Sequence, residues 1–115
     1  MRGQQKISSM ISKNADLSRF EKSVLKAALK IPKGELRSYK WVACSIGRPN
    51  AVRAVGNALN KNPYPVIVPC HRVIRSDGTL GGYALGLRKK KVLIESEKKS
   101  SRKLSQVHSQ KFYYS

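Results

Sequence analysis

The chain has 115 residues, enough for one domain with a buried core, and a formal net charge of +18 from 24 Lys and Arg against 6 Asp and Glu. This charge predicts a polyanionic partner, with nucleic acid the first candidate, and a basic architectural or ribosomal protein is the alternative. The 2 cysteines are too few for a disulfide framework, and no apolar run approaches the roughly 20 residues that span a bilayer. The N-terminus shows no signal-peptide pattern, so we expect an intracellular, reducing location.

The N-terminal part combines a polar segment with a predicted helix. Residues 1–17 are polar with one short apolar patch, and we expect an N-terminal arm that is loose or briefly helical. Ser18 and Glu21 form a capping-box pattern, which predicts the start of a helix. Apolar residues recur at helical spacing as far as Ile31, and the following Pro32–Gly34 segment is expected to end the helix.

A helix–turn–helix pattern follows. We expect one helix from Ser38 and a turn at Gly47–Pro49. Cys44 on this helix is expected to be buried in the core of the domain. Asn50 is a good N-cap for a third helix, which is predicted to end near Asn60. Two helices joined by a short Gly-containing turn are typical of DNA-binding helix-turn-helix motifs, although an ordinary helical hairpin has the same pattern.

The third helix has two predicted faces. Its apolar residues at helical spacing indicate a buried face, and its polar residues indicate an outward one. The buried face comprises Val52, Val55 and Leu59, and the outward face comprises Arg53, Asn57 and Asn60.

The C-terminal half contains short apolar segments and a last helix. Val66–Val68 is apolar and β-branched and predicts a buried extended segment, and Val73–Ile74 predicts a second short strand. A helix is expected from about Leu87 to Glu97. Residues 98–115 are basic and polar, and we expect them to form a flexible tail.

Pro69-Cys70-His71-Arg72 is the most informative segment of the chain. A thiol beside an imidazole and a guanidinium favours thiolate, and thiolate is the nucleophilic form. The proline fixes one backbone dihedral before the cysteine. A buried, inert cysteine is the more common case, so these residues alone leave both interpretations open.

Taken in order, these segments closely resemble the C-terminal DNA-binding and active-site domain of the O6-alkylguanine-DNA alkyltransferases, over about Phe20 to Glu97. The matching segments are Ile31–Gly34, Ser38-Tyr39, Gly47–Ala58, Asn62-Pro63, Pro65–Ile74 and Gly81–Tyr83. The resemblance implies a mostly α domain with small β elements, winged-helix-like and containing a helix-turn-helix, over residues 18–97. It also implies DNA repair by a single-turnover reaction, in which a cysteine takes the alkyl (methyl) group from guanine O6 after nucleotide flipping and keeps it.

The resemblance also implies chemical roles for individual residues. Cys70 matches the alkyl acceptor, and His71 matches the histidine that deprotonates the thiol through a bound water. Glu97 matches the carboxylate that orients this histidine. Asn62 matches the asparagine that ties the helix-turn-helix to the active-site segment. Tyr39 matches the tyrosine whose hydroxyl donates a proton to the departing guanine.

The resemblance further implies a DNA interface and a substrate pocket. Arg53 matches the arginine that fills the base stack after the alkylated nucleotide has left it. The other implied DNA contacts are Ser38, Tyr39, Ala54, Gly56, Asn57 and Arg72. The implied pocket lining is Pro65, Val73, Tyr83 and Ala84. In this family the recognition helix enters the minor groove.

The implied partner is double-stranded DNA containing O6-alkylguanine, bound by a monomer in the cytoplasm, or in the nucleus of a eukaryote. No cofactor is implied. Zinc in some members is bound by an N-terminal domain, and only about twenty residues precede the match here, so we expect a minimal form without metal. The main alternative is an alkyltransferase-like protein, which binds the lesion without transfer and typically has tryptophan at the acceptor position. Cys70 argues against that class.

Overall fold

The computed structural model describes residues 2–105. In chain order its elements are α1 (Arg2–Lys13), α2 (Arg19–Leu29), β1 (Arg37–Ser38), α3 (Tyr39–Ser45), α4 (Val52–Asn60), a 3₁₀ turn (Cys70–Arg72), β2 (Val73–Ile74) and α5 (Leu87–Ser105). The fold is mostly helical with small β elements, as predicted. Across residues 2–105, none of the helices combines the length and apolarity needed to cross a membrane.

The N-terminal segment forms a helix that packs against the domain. Ile11 of α1 is fully buried in the main core, and Ile7 packs against the same core. These residues are four positions apart and so fall on one face of a helix. Lys22 of α2 donates through Nζ to the Ser12 carbonyl at 2.8 Å. The short apolar patch therefore docks α1 onto α2, where the sequence predicted a loose or briefly helical arm.

The central helix α2 begins as predicted. Ser18 Oγ accepts a hydrogen bond from the Glu21 amide at 3.0 Å, and Glu21 Oε1 accepts one from the Ser18 amide at 2.9 Å. Both halves of the capping box are thus formed. Helix α2 packs against α1, α3, α4 and the 3₁₀ turn. It is therefore the element on which the cysteine segment and the helix-turn-helix are both built.

Helices α3 and α4 form the helix-turn-helix, but α4 begins later than the sequence indicated. The predicted N-cap at Asn50 is wrong: the cap is Ala51, and no side chain caps the helix. The Ala51 amide donates to the Arg48 carbonyl at 2.9 Å, so the turn continues beyond Asn50 before the helix starts.

The buried faces of these two helices also differ in detail from the prediction. On α3 the buried residues include Val42 and Ala43, which leaves Cys44 exposed rather than in the core. On α4, Val55 and Leu59 are buried as predicted, whereas Val52 is exposed and Ala58 takes part in the core instead. The core faces are therefore rotated slightly from those that the apolar pattern suggested.

The predicted buried segment Val66–Val68 is a turn. Val66 and Ile67 are exposed, and only Val68 is buried. Val66 has a φ of 74°, which is uncommon for a β-branched residue, because the chain reverses direction here. The second predicted strand, Val73–Ile74, is confirmed as β2 and pairs in parallel with β1. This pairing joins the cysteine segment to the start of α3.

The last helix extends further than predicted. Helix α5 continues to Ser105 instead of ending at Glu97. Residues 98–105 contain no Gly or Pro that would stop a helix, so the first part of the predicted flexible tail is helical. The rest of that predicted tail, residues 106–115, lies outside the described residues.

Candidate active site

The cysteine of the Pro-Cys-His-Arg segment is buried and held by an asparagine. Cys70 opens the 3₁₀ turn and is 3% exposed. Asn62 Nδ2 donates to Cys70 Sγ at 3.0 Å and to the Val68 carbonyl at 3.2 Å, while Asn62 Oδ1 accepts from the Tyr64 amide at 2.8 Å. A single amide side chain thus fixes the loop between α4 and the 3₁₀ turn and orients the sulfur.

Burial keeps this thiol protonated in the free protein. It raises the pKa of the Cys70 thiol to about 12, against the opposing effects of the Asn62 hydrogen bond and the charge on Lys90. The sequence left open both a thiolate favoured by its neighbours and a buried, inert cysteine, and burial disfavours the thiolate in the resting protein.

The two cysteines should consequently differ in reactivity toward a thiol reagent. Cys44 is exposed, whereas Cys70 is buried with a pKa of about 12, and thiolate is the reactive form. We expect iodoacetamide at neutral pH to modify Cys44 well before Cys70, as measured by mass spectrometry of the two peptides. Both should react at similar rates in denaturant. Equal rates in the folded protein would contradict a buried, neutral Cys70.

A histidine–carboxylate pair lies beside the cysteine. His71 is fully buried, and its Nε2 lies 2.9 Å from Glu97 Oε2 on α5. Its Nδ1 has no hydrogen-bond partner within the part of the chain that the structure describes, so this atom can make a further hydrogen bond. The ring also packs edge-on against Tyr83, with centroids 6.2 Å apart. The structure therefore brings together the predicted histidine and carboxylate.

Glu97 is also bound by Arg72. Arg72 Nε and Nη2 donate to the two carboxylate oxygens, each at 2.9 Å, and Nη1 donates to the Ile31 carbonyl at 2.6 Å. Burial disfavours the charged carboxylate, but hydrogen bonds from His71 and Arg72 outweigh it and lower the pKa of Glu97 to about 2. The Arg72 guanidinium is thus engaged inside the domain, and its predicted contact with DNA stays a prediction.

Tyr39, at the start of α3, lies under a glycine-containing loop. Its hydroxyl is 3.5 Å from the Gly82 carbonyl, and burial raises its pKa. A Cβ at Gly81, where φ is +71°, would lie 2.5 Å from the Tyr39 hydroxyl oxygen. Only glycine allows this approach, so Gly81 lets the loop close over the tyrosine.

Sequence reasoning missed Lys90, which is fully buried. Its Nζ donates to the carbonyls of Leu80 and Gly82 at 2.5 and 3.0 Å, and to the Tyr39 hydroxyl at 3.4 Å. Burial lowers its pKa to about 8. A positive charge therefore lies next to the predicted proton donor.

One sequence signal pointed to this lysine. Lys90, Ile94 and Glu97 lie at positions i, i+4 and i+7, which share one helix face. Ile94 is buried and Glu97 is mostly buried, so the face is the inward one. Lys90 lies between Lys89 and Lys91, which are exposed, so the run of lysines does not by itself indicate that the middle one is buried.

The predicted DNA-contacting residues fall into two groups. On α4, Arg53, Ala54 and Asn57 are exposed and Gly56 is half-buried. A Cβ at Gly56 would meet no atom within 4 Å, so packing does not require glycine there. Ser38, in contrast, is fully buried, and its Oγ accepts from the amide of Trp41 at 2.9 Å as the cap of α3. Ser38 thus caps a helix inside the domain, and its predicted contact with DNA stays a prediction.

The predicted pocket residues have different exposures. Val73 is fully buried and Tyr83 is buried, whereas Pro65 is half-buried and Ala84 is exposed. The Tyr83 hydroxyl has no hydrogen-bond partner within the described part of the chain. The four positions thus range from the core to the surface.

The fold and the site together define a helix-turn-helix domain with a buried, asparagine-bound cysteine beside a histidine–carboxylate pair. Residues 19–99 match the family described as 6-O-methylguanine DNA methyltransferase, DNA binding domain. The chain belongs to this family.

Similar proteins include two named methylated-DNA–protein-cysteine methyltransferase. The protein from Methanosarcina barkeri is 57% identical over 83 residues, which are 72% of this chain and 52% of the relative. The protein from Mycobacterium tuberculosis is 53% identical over 79 residues, which are 69% of this chain and 48% of the relative. The chain therefore spans about half the length of these relatives.

Solved structures show the same fold. The crystal structure of Mycobacterium tuberculosis OGT in complex with DNA is 51% identical, with a TM-score of 0.71, covering 72% of this chain and 52% of that one. The crystal structure of S. pombe Atl1 in complex with damaged DNA containing O6-carboxymethylguanine is 32% identical, with a TM-score of 0.62. The match covers 70% of this chain and 77% of that one.

Proposed function

We propose that this chain repairs O6-alkylguanine in double-stranded DNA by one stoichiometric transfer of the alkyl group to Cys70. The observation that carries the proposal is the buried Cys70 thiol, bound by Asn62 and followed directly by the His71–Glu97 pair. The relatives named methylated-DNA–protein-cysteine methyltransferase support the same activity. An alkyltransferase-like binder would not need this chemical arrangement around a cysteine.

The proposed reaction forms a bond from Cys70 Sγ to the alkyl carbon and breaks the bond from that carbon to guanine O6. The thiol proton passes through a bound water to Nδ1 of His71, and the Glu97 carboxylate stabilises the resulting imidazolium through Nε2. The departing guanine takes a proton on its ring from the Tyr39 hydroxyl. The thioether product is stable, so each protein molecule reacts once.

We propose that α4 is the helix that enters the DNA groove. Its exposed face offers Arg53 and Asn57, and the small residues Ala54 and Gly56 permit close approach to the groove. A guanine inside a duplex cannot present O6 to a buried sulfur, so the nucleotide must flip out. Arg53 would then occupy the space left in the base stack.

We further propose which residues line the substrate pocket, that the domain acts as a monomer, and the compartment in which it acts. Tyr83 and Pro65 would line the pocket for the flipped base, with Ala84 at its rim and the backbone near Val73 at its base. Residues 18–97 would carry the function as a monomer. The protein would act where the DNA is, in the cytoplasm or in a eukaryotic nucleus.

Replacing Arg53 with alanine should slow transfer from duplex DNA far more than transfer from a free O6-benzylguanine base. Flipping costs a few kcal/mol and is needed only for the duplex, so a residue that stabilises the flipped state matters only there. Single-turnover rates on both substrates test this. Arg19→Ala, which removes an exposed charge at the start of α2, is the matched control. Equal losses on both substrates would assign Arg53 to the fold or the pocket.

The proposed function is tested by incubating the chain with a duplex containing O6-methylguanine and analysing its peptides by mass spectrometry. We expect the Cys70 peptide to gain one methyl group. Selective binding to the lesion without methyl gain would support the alkyltransferase-like alternative. Binding without preference for the lesion would support a basic architectural protein.

A further inference from the structure

A hydrogen bond joins the N-terminal segment to the loop that leads into the candidate site. This loop, residues 61–69, connects α4 to the 3₁₀ turn and is called the site loop below. Asn14, directly after α1, donates through Nδ2 to the Tyr64 hydroxyl oxygen at 2.9 Å. Asn14 Oδ1 accepts from the Asp16 amide at 2.8 Å, which fixes the side-chain amide with its nitrogen toward Tyr64. Asn14 lies before residues 19–99, so this contact reaches the site loop from outside the family-matched domain.

The backbone of Tyr64 is bound to the groups that hold the cysteine. Its amide donates to Asn62 Oδ1 at 2.8 Å, and its carbonyl accepts from the Val68 amide at 2.9 Å. Asn62 in turn donates through Nδ2 to the Val68 carbonyl at 3.2 Å and to Cys70 Sγ at 3.0 Å. Tyr64 therefore connects the Asn14 side chain to the hydrogen bond that orients the sulfur.

The tip of the site loop has a backbone conformation that needs support from outside. Val66 has a φ of 74°, which is unfavourable for a β-branched residue and persists only where surrounding contacts fix it. Val66 and Ile67 are exposed, so packing of their own side chains does not supply these contacts. Tyr64 packs against the main core before the tip, and Val68 is buried after it. The hydrogen bond from Asn14 thus acts on one of the two residues that anchor the loop tip.

The helix that carries this asparagine is itself fixed to the domain. Ile11 of α1 is fully buried in the main core. Lys22 and Lys26 of α2 donate through Nζ to the carbonyl and to Oγ of Ser12, at 2.8 and 2.5 Å. Because these contacts hold α1 on α2, Asn14 presents its side-chain amide to the site loop from a fixed position.

Resting on the proposed function, we propose that Asn14 is a positioning residue for the acceptor Cys70. Its amide holds the Tyr64 side chain, and the Tyr64 backbone holds Asn62, which binds the sulfur. A sulfur that attacks carbon must be aligned with the carbon and the leaving oxygen, and a small misplacement slows the reaction. Asn14 does not touch the sulfur, so its effect on transfer passes through the site loop.

Amide hydrogen exchange tests the structural half of the proposal and needs no substrate. Tyr64→Phe removes one oxygen atom, and Asn14→Ala removes the donor that binds this oxygen. We expect the amides of residue 64 and Val68 to exchange about threefold to tenfold faster in both variants, the range expected for loss of one hydrogen bond. Ser12→Ala is the matched control, because it removes the α1 side-chain bond to Lys26 and keeps the bond to Tyr64. It should leave these two exchange rates within about twofold of the wild type.

Single-turnover transfer from free O6-benzylguanine tests the functional half, because this substrate needs no DNA. Asn14→Ala and Tyr64→Phe should each react about threefold to tenfold more slowly than the wild type, and Ser12→Ala at the wild-type rate. The double variant should be within about twofold of either single variant, because both remove the same bond. Asn14→Asp should restore the rate to within about twofold, because its carboxylate can accept from both the Asp16 amide and the Tyr64 hydroxyl. A residue that only stabilised α1 would show neither this coupling nor this rescue.

Several results would overturn the proposal. Wild-type exchange of the Tyr64 and Val68 amides in Asn14→Ala would show that the bond does not hold the site loop. Faster exchange with a wild-type transfer rate would show that the loop does not position the sulfur. Equal losses in Ser12→Ala, or unfolding of Tyr64→Phe, would assign the bond to the docking of α1 or to the fold as a whole. If the wild-type chain transfers no alkyl group, the proposed function fails, whereas the exchange rates still decide whether Asn14 holds the loop.

Discussion

Cys70→Ala and Cys70→Ser proteins should transfer no alkyl group and should still bind duplex DNA. The sulfur is the chemical acceptor in the proposed reaction, whereas affinity for DNA comes mostly from phosphate contacts. The fold should persist, because Asn62 keeps its bonds to the Val68 carbonyl and the Tyr64 amide when the sulfur is removed. Mass spectrometry after incubation with methylated duplex measures transfer, and fluorescence anisotropy measures binding.

Cys44→Ala is the matched control for this result. Cys44 is the other cysteine of the chain and is exposed on α3, outside the proposed site. Its replacement should leave the transfer rate unchanged within about twofold, the tolerance expected for a surface substitution. Detectable methyl transfer by Cys70→Ala, to Cys44 or to any other residue, would contradict the assignment of the acceptor.

Local patterns in the sequence predicted local structure well. The capping box at Ser18 and Glu21, the helix start after Ser38 and the strand at Val73–Ile74 are all present. Each depends on interactions among residues that are close in sequence or on intrinsic β preference. Family resemblance added the pairing of His71 with Glu97, which no local pattern indicated because 26 positions separate them.

The sequence was less informative where a long-range contact decides the role of a side chain. The resemblance implied a DNA contact for Arg72, but the partners that hold its side chain in the structure, Glu97 and Ile31, are 25 and 41 positions away. The high pKa of Cys70 likewise follows from burial, which adjacent residues do not reveal. The burial of Lys90 likewise depends on its hydrogen bonds to the Leu80 and Gly82 carbonyls in the loop before α5. These properties arise only when distant segments pack together.

Small shifts in helix register explain the remaining differences. Cys44 is exposed because its neighbours Val42 and Ala43 face the core, and a side chain one position along a helix is rotated by about 100°. Asn50 fails as a cap because the preceding turn extends to Ala51. The DNA contacts of Arg53, together with the other residues of the α4 face, stay predictions.

His71→Ala should slow alkyl transfer by a factor on the order of 10² or more, as is typical for loss of a general base. The thiol has a pKa of about 12, so the reaction depends on a group that takes its proton, and Nδ1 of the buried imidazole is available for this purpose. Single-turnover rates at saturating DNA separate this effect from binding. A rate within a few-fold of the wild type would show that another group removes the proton.

Glu97→Gln should reduce the transfer rate. It should also lower the free energy of unfolding, and this loss should be larger at neutral pH than at acid pH. The pKa of Glu97 is lowered from 4.5 to about 2, so its stabilising contribution is fully present above pH 4.5 and is lost as the pH falls toward 2. The stability difference between the wild type and Glu97→Gln should therefore be largest near neutral pH and shrink toward pH 2, as measured by urea unfolding. Glu95→Gln, at an exposed position on the same helix, is the matched control and should change neither property. If the stability of Glu97→Gln depended on pH in the same way as that of Glu95→Gln, the ionised Glu97 carboxylate would not stabilise the fold through His71 and Arg72.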